Sequence, residues 1–140
     1  MRNWIKAFKN LIIPASFVFL IVAPVFAIPM GRAVRAPEPP ELISPTSDVI
    51  DLKGKDALEF KWLIRNPVFI DYTDLRLYKT YNTYADNLIF KTRIPSGATN
   101  AYSIKAGTFQ SGQVYTCVLK TVSLGGEKSD FVYTSFKVIK

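Results

Sequence analysis

The sequence contains no histidine and only one cysteine, Cys117. Without histidine the chain cannot form the Cys–His or Ser–His pairs of nucleophilic catalysis, and most zinc sites are excluded as well. A single cysteine also excludes a disulfide within the chain. The sequence has no glycine-rich phosphate-binding loop and no Asp-x-Asp-x-Asp-Gly calcium loop. These absences predict a protein that is not an enzyme and that holds no metal and no cofactor.

The sequence also lacks a block of one charge sign outside its N-terminal region. The formal net charge is +7, but five of the positive charges lie within the first 35 residues, at Arg2, Lys6, Lys9, Arg32 and Arg35. From residue 36 onward, 13 basic and 11 acidic residues are interspersed. Because a nucleic-acid-binding domain needs a clustered basic stripe, the sequence predicts no nucleic-acid partner.

An uncharged run over residues 10–31 follows the basic N-terminus. Its apolar part, residues 11–27, is longer than the roughly 7 to 15 residues of a signal-peptide core. It is shorter than the about 20 residues that a membrane-spanning helix needs. Residues 1–27 are therefore predicted to contain one hydrophobic helix, which is either a signal peptide or an N-terminal membrane anchor.

Two details favour cleavage after Ala27. Val25-Phe26-Ala27 supplies small or modest side chains before the cut, and Pro24 breaks the helix just ahead of it. Arg32 and Arg35 stand against cleavage, because they place positive charge on the exported side. Both alternatives predict that the body of the chain is exported, to the periplasm, the cell surface or the medium. Residues 11–27 are the expected membrane contact.

A proline-rich segment over residues 28–40 is predicted to form an extended linker. From residue 41 to residue 140, apolar residues recur with a period of two, and turn residues interrupt them at short intervals. In residues 57–64, for example, Leu58, Phe60 and Trp62 face one side. About seven such strands without a helix predict an all-β fold, an antiparallel seven-stranded immunoglobulin-like sandwich.

The strand pattern also predicts which side chains lie between the sheets. On the predicted strand over residues 71–80, Leu75 and Leu77 face the core, and the residues between them face the other side. Ser44-Pro45 is expected to split the first strand. The structural core is predicted to include Phe60, Trp62, Leu75, Leu77, Tyr115, Cys117 and Phe136.

Residues 109–118, FQSGQVYTCV, resemble the sixth strand of fibronectin type III domains. Phe109, Gly112 and Tyr115 match the large apolar residue, the turn and the tyrosine of that family, whereas Ser111 stands where the family prefers proline. The resemblance implies a tyrosine corner at Tyr115. In that motif the ring packs at the start of the strand, and its hydroxyl bonds to the backbone a few residues upstream.

The likeness extends over about residues 41–140. Residues 58–62 resemble the second strand of the family, with Trp62 at the position of the core tryptophan, and residues 133–138 resemble the last strand. Cys117 stands where immunoglobulin domains carry half of their inter-sheet disulfide. Because it has no partner, the resemblance implies that Cys117 is a small buried hydrophobe.

Tyr78, Tyr81 and Tyr84 recur at every third position in the connection between the third and fourth predicted strands, with Asn82 among them. A tyrosine ring gives contact area at a low entropic cost, and its hydroxyl forms a hydrogen bond. These four residues are hypothesised to form a binding surface for a protein or a glycan.

The sequence therefore predicts an exported, non-catalytic binding or structural module that presents a β-sandwich to another macromolecule. One alternative is a carbohydrate-binding module that uses Tyr78, Tyr81 and Tyr84. A second alternative is a membrane-anchored subunit of the cell envelope. The anchored alternative predicts that the mature protein keeps residues 1–27, and the other two predict a product that begins near Ile28.

Overall fold

The computed structural model describes residues 35–96 and 100–140. The predicted hydrophobic helix over residues 1–27, and the linker up to residue 34, lie outside the described residues. Within the described part, no helix has the length and the hydropathy needed to cross a bilayer. The helical segments there are single turns of 3-10 helix at Pro67–Phe69, Ala85–Asn87 and Ala106–Thr108.

Eight β-strands in two sheets make up most of the described part of the chain. They are β1 (Glu41–Ser44), β2 (Val49–Asp51), β3 (Ala57–Leu63), β4 (Ile70–Lys79), β5 (Leu88–Pro95), β6 (Ala101–Lys105), β7 (Val114–Ser123) and β8 (Val132–Ile139). One sheet has the strand order β1-β3-β6, and the other has the order β2-β8-β7-β4-β5. The all-β sandwich predicted from the period-two pattern is confirmed for these residues.

The first predicted strand is divided between the two sheets. β1 pairs antiparallel with β3, whereas β2 pairs in parallel with β8. Pro45 follows β1 and has no backbone N–H to donate, so the first ladder ends there and the chain crosses to the other sheet. The prediction of seven antiparallel strands is therefore corrected to eight strands with one parallel pair among those described.

One apolar cluster fills the space between the two sheets. Along β3, Leu58, Phe60 and Trp62 are buried, and the residues between them are exposed. Rings from both sheets meet in this cluster, with centroids 5.1 to 6.2 Å apart. The seven residues that the sequence assigns to the core are each no more than 2% exposed: Phe60, Trp62, Leu75, Leu77, Tyr115, Cys117 and Phe136.

Tyr115 forms a corner of the kind that the resemblance implies. Its hydroxyl accepts a hydrogen bond of 2.7 Å from the backbone N–H of Gln110, and its ring meets Phe109 edge to face. Two residues further along β7, Cys117 is free and buried. Burial raises the pKa of the Cys117 thiol. Since the thiolate is the nucleophilic form, this thiol is not activated for catalysis.

β4 is an interior strand of the larger sheet and is shielded on both of its faces. Leu75 and Leu77 point into the core, as the alternation predicts, and Asp74 and Tyr78 point to the outer face. Asp74 and Tyr78 are nevertheless only 4% and 6% exposed. β4 lies between β5 and β7, and the outward side chains of those two strands flank it.

Candidate binding surfaces

The sandwich has two ends, here called the base and the tip, and the chain enters at the base. There the carbonyl of Glu38 accepts a hydrogen bond of 2.9 Å from Thr121 Oγ1. β4 begins at the base, where Ile70 pairs with Ser123 at the end of β7. β4 ends at the tip, where Lys79 pairs with Tyr115. The loop that follows β4 therefore lies at the opposite end from the point of chain entrance.

The tyrosine loop, residues 80–87, joins β4 to β5 at the tip. Tyr81 and Tyr84 each expose 73% of their surface. Tyr78 precedes the loop within β4, opposite Thr116 on the neighbouring strand, and is buried. Tyr78 is therefore removed from the predicted binding surface, because its ring cannot reach a partner without a rearrangement of the sheet. Two of the three predicted tyrosines remain.

Hydrogen bonds fix the backbone of the tyrosine loop. The carbonyl of Thr80, a residue with the left-handed φ of 95°, accepts a hydrogen bond of 2.7 Å from Thr116 Oγ1. Asn82 Oδ1 accepts hydrogen bonds from the N–H of Tyr84, at 3.4 Å, and from the side-chain amide of Asn87. The side chain of Asn82 therefore stabilises the conformation of the loop. The exposed rings of Tyr81 and Tyr84 project from a backbone that hydrogen bonds hold in place.

The outer side of the larger sheet carries a cluster of cations, here called the sheet face. The strand register places Asp74 on β4 between Lys120 on β7 and Arg93 on β5. One row further along, Arg76 lies opposite Lys91 on β5. Because neighbouring strands are about 4.8 Å apart, these four cations surround the single carboxylate of Asp74 within about 10 Å.

Asp74 pairs unequally with the cations around it. Its Oδ2 accepts hydrogen bonds from Arg76 Nη2, at 2.8 Å, and Nε, at 3.2 Å, and lies 3.8 Å from Lys120 Nζ. The hydrogen bond that Arg76 donates to Asp74 raises the pKa of Arg76. Burial and the positive charge of Arg76 lower the pKa of Lys120. The single carboxylate therefore compensates only part of the positive charge of the cluster.

Aromatic rings lie against the cations of the sheet face. The guanidinium carbon of Arg93 is 4.8 Å from the ring centroid of Tyr72, and Lys120 Nζ is 5.0 Å from that of Phe131. Phe131 in turn contacts Tyr133 with a centroid distance of 6.1 Å, and both of these rings are exposed. These cation–π contacts help to hold the two charged groups in place.

The prediction of interspersed charges misses the sheet face. A signal for it was present in Asp74-x-Arg76 and Lys91-x-Arg93, because residues two apart on a strand share one face. Lys120 is distant from both pairs in sequence, and only the pairing of β7 with β4 brings it beside them. Spacing along the chain does not contain that information.

A cleft of about 500 Å³ opens at the base of the sandwich, and its lining includes Ile64, Phe69 and Leu124. Phe69 and Leu124 are joined by a hydrogen bond of 2.9 Å from the N–H of Leu124 to the carbonyl of Phe69. Their side chains are 69% and 71% exposed, and the neighbouring Val68 is 77% exposed. The base therefore presents apolar side chains to solvent beside the segment through which the chain enters.

Comparison with known protein families finds no match, and comparison with curated proteins finds no relative. Among solved structures, one described as a myokine structure has a TM-score of 0.54 and 10% identity, over 76% of this chain and 100% of that chain. A human fibronectin type III domain, the fourth of its protein, has a TM-score of 0.43 and 14% identity, over 76% of this chain and 82% of that chain.

A β-1,2-glucanase from Parabacteroides distasonis has a TM-score of 0.41 and 16% identity, over 76% of this chain and 13% of that chain. At such identities a similarity concerns the fold alone. The strand order of its two sheets gives the described part of the chain an immunoglobulin-like β-sandwich fold.

Proposed function

We propose that this chain is an exported, non-catalytic binding module that contacts another macromolecule through the tyrosine loop. One observation carries the proposal: Tyr81 and Tyr84 are each 73% exposed on a hydrogen-bonded loop. The proposal of export rests on the apolar run of residues 11–27. The β-sandwich supports a binding or structural role, because its interior is filled with apolar side chains and its loops are available for contacts.

The geometry of the loop favours binding for a physical reason. Association is weakened when flexible groups must be ordered, and a tyrosine ring has only two side-chain torsions to fix. The backbone around Tyr81 and Tyr84 is already held by Thr80 and Asn82. The tip also lies at the opposite end of the sandwich from Glu38, where the described part of the chain joins the base.

The double variant Tyr81→Ser, Tyr84→Ser is expected to weaken partner binding about 100-fold, because tyrosines at the centre of an interface are common hot spots. Binding would be measured on a glycan array and against immobilised surface proteins of the producing cell. If the variant lost binding to glycans alone, the chain would be a carbohydrate-binding module. If it lost binding to the surface proteins alone, the partner would be a protein.

The matched control for this experiment is Val68→Ser, Leu124→Ser, which removes comparably exposed apolar side chains at the base. All four side chains are exposed, so both double variants should keep the unfolding free energy of the parent within about 1 kcal/mol. Equal binding by the loop variant and the parent, or an equal loss in both variants, would show that the tyrosine loop is not the contact surface.

A second candidate function, a membrane-anchored envelope subunit, is favoured by the exposed apolar side chains at the base. Val68, Phe69 and Leu124 lie there, and the apolar run of the sequence ends at Ala27. Exposed apolar side chains that lie together mark surfaces for protein or membrane contact, which suits a subunit held among neighbours in the envelope.

Intact mass measured on the soluble and membrane fractions of producing cells separates the two candidates. The first candidate is expected to give a soluble species that begins near Ile28, because a signal peptidase would remove residues 1–27. A membrane-bound species that still carries Met1 or Arg2 would contradict cleavage and favour the anchored subunit.

A further inference from the structure

The sheet face has an excess of positive charge that the protein itself does not neutralise. Asp74 pairs with Arg76 and Lys120. Among the described residues, neither Lys91 nor Arg93 forms an ion pair with a carboxylate, and both are exposed. Burial lowers the pKa of Lys120, and the positive charges of Arg76, Lys128 and Lys91 lower it further. A negatively charged ligand would relieve this repulsion.

The cations are arranged in rows across the strands. Arg76 and Lys91 are directly opposite each other on β4 and β5, which places their backbones about 5 Å apart. In the next row, Lys120 and Arg93 lie on either side of Asp74, about 10 Å apart. A ligand whose negative charges recur along an extended chain can meet several of these cations at once, and each pairing adds to the others.

Two exposed rings adjoin the cations. Phe131 lies under the ammonium group of Lys120, and Tyr133 contacts Phe131. Tyr133 is opposite Val118 on β7, and Val118 is opposite Arg76 on β4, so rings and cations share one side of one sheet. A flat apolar ring surface beside cations suits a ligand that has both apolar ring faces and negative charge.

We propose that the sheet face binds an acidic polysaccharide. Its carboxylates would pair with Lys91, Arg93 and Arg76, and its sugar rings would pack on Phe131 and Tyr133. A polyanion without ring faces, such as polyglutamate, would use the cations alone. The sheet face is separate from the tyrosine loop, so this proposal does not depend on the function proposed for that loop.

The test uses the full chain and polygalacturonate as the probe, with affinity measured by calorimetry at low salt. The variant Lys91→Gln, Arg93→Gln is expected to bind about tenfold more weakly, because it removes two exposed ion pairs of modest individual strength. Lys53→Gln, Lys55→Gln removes the same charge from the exposed turn between β2 and β3 and is expected to bind like the parent. Raising the salt concentration should weaken parent binding.

The ring surface is tested by Phe131→Ser, Tyr133→Ser. This variant is expected to lose affinity for polygalacturonate and to keep its affinity for polyglutamate. The variant Tyr81→Ser, Tyr84→Ser should bind polygalacturonate like the parent, so a failure of the tyrosine loop would not be mistaken for a failure of this site. Thermal melting of each variant reports whether the fold is retained.

Three results would overturn the assignment. Absence of polygalacturonate binding to the folded parent would remove the site. An equal loss in the Lys53→Gln, Lys55→Gln control would show a diffuse effect of net charge. The third result is that polyglutamate or duplex DNA binds as tightly as polygalacturonate and that Phe131→Ser, Tyr133→Ser does not change this binding. It would show that the sheet face binds polyanions without selectivity for sugars.

Discussion

Replacement of Trp62 by alanine is expected to lower the unfolding free energy by about 3 to 5 kcal/mol. Trp62 lies in β3 with 2% of its surface exposed, so the substitution opens a cavity between the two sheets. The total stability of a domain is commonly about 5 to 15 kcal/mol. Urea unfolding of the full chain, followed by circular dichroism, measures the loss directly.

Leu63 provides the matched control, because it is the next residue on β3 and faces the opposite side. It is exposed, and Leu63→Ala is expected to change the stability by no more than about 1 kcal/mol. If Leu63→Ala cost more stability than Trp62→Ala, the faces of β3 would have been assigned the wrong way round, since a shift of one residue exchanges them.

Trp62→Phe separates the packing of the ring from its polarity. The Nε1 of Trp62 is buried and has no hydrogen-bond partner among the described residues. An unpaired buried donor costs about 1 to 3 kcal/mol, and phenylalanine removes it while keeping most of the apolar surface. The variant is therefore expected to be clearly more stable than Trp62→Ala. A loss as large as that of alanine would indicate that Nε1 has a partner in solution.

The orientation of β3 could be predicted because it depends only on neighbouring residues. Leu58, Phe60 and Trp62 alternate with polar or exposed residues, and the period of two fixes which side each occupies. Pro45 marks the break between β1 and β2 for an equally local reason, its missing N–H. The sheet that each half of the broken strand joins depends on long-range pairing, which the sequence pattern does not specify.

The candidate sites show the same division between local and long-range information. The exposed positions of Tyr81 and Tyr84 agree with a polar loop after a strand. The burial of Tyr78 could not be predicted, because it depends on β5 and β7, which flank β4 on both sides. The cluster on the sheet face likewise forms only when Lys120 on β7 is placed beside Asp74.

Replacement of Asp74 by alanine is expected to cost about 3 kcal/mol of stability, because it leaves an uncompensated and largely buried cation. The side chain of Lys120 is only 9% exposed and would remain beside Arg76 without a carboxylate. Arg76 is a quarter exposed, so water compensates part of the loss. Urea unfolding at neutral pH measures the change, and added salt should recover part of it by screening the repulsion between the cations.

Asp71→Ala is the matched control, because Asp71 lies on the same strand but is exposed, and the change is expected to be within about 0.5 kcal/mol. Lys120→Met then completes a double-mutant cycle with Asp74→Ala. The double variant should lose clearly less than the sum of the two single variants, because it leaves no largely buried cation without a partner, and the remaining Arg76 is a quarter exposed. Additive losses would mean that the 3.8 Å approach of Lys120 to Asp74 contributes nothing to folding and that Arg76 alone compensates the carboxylate.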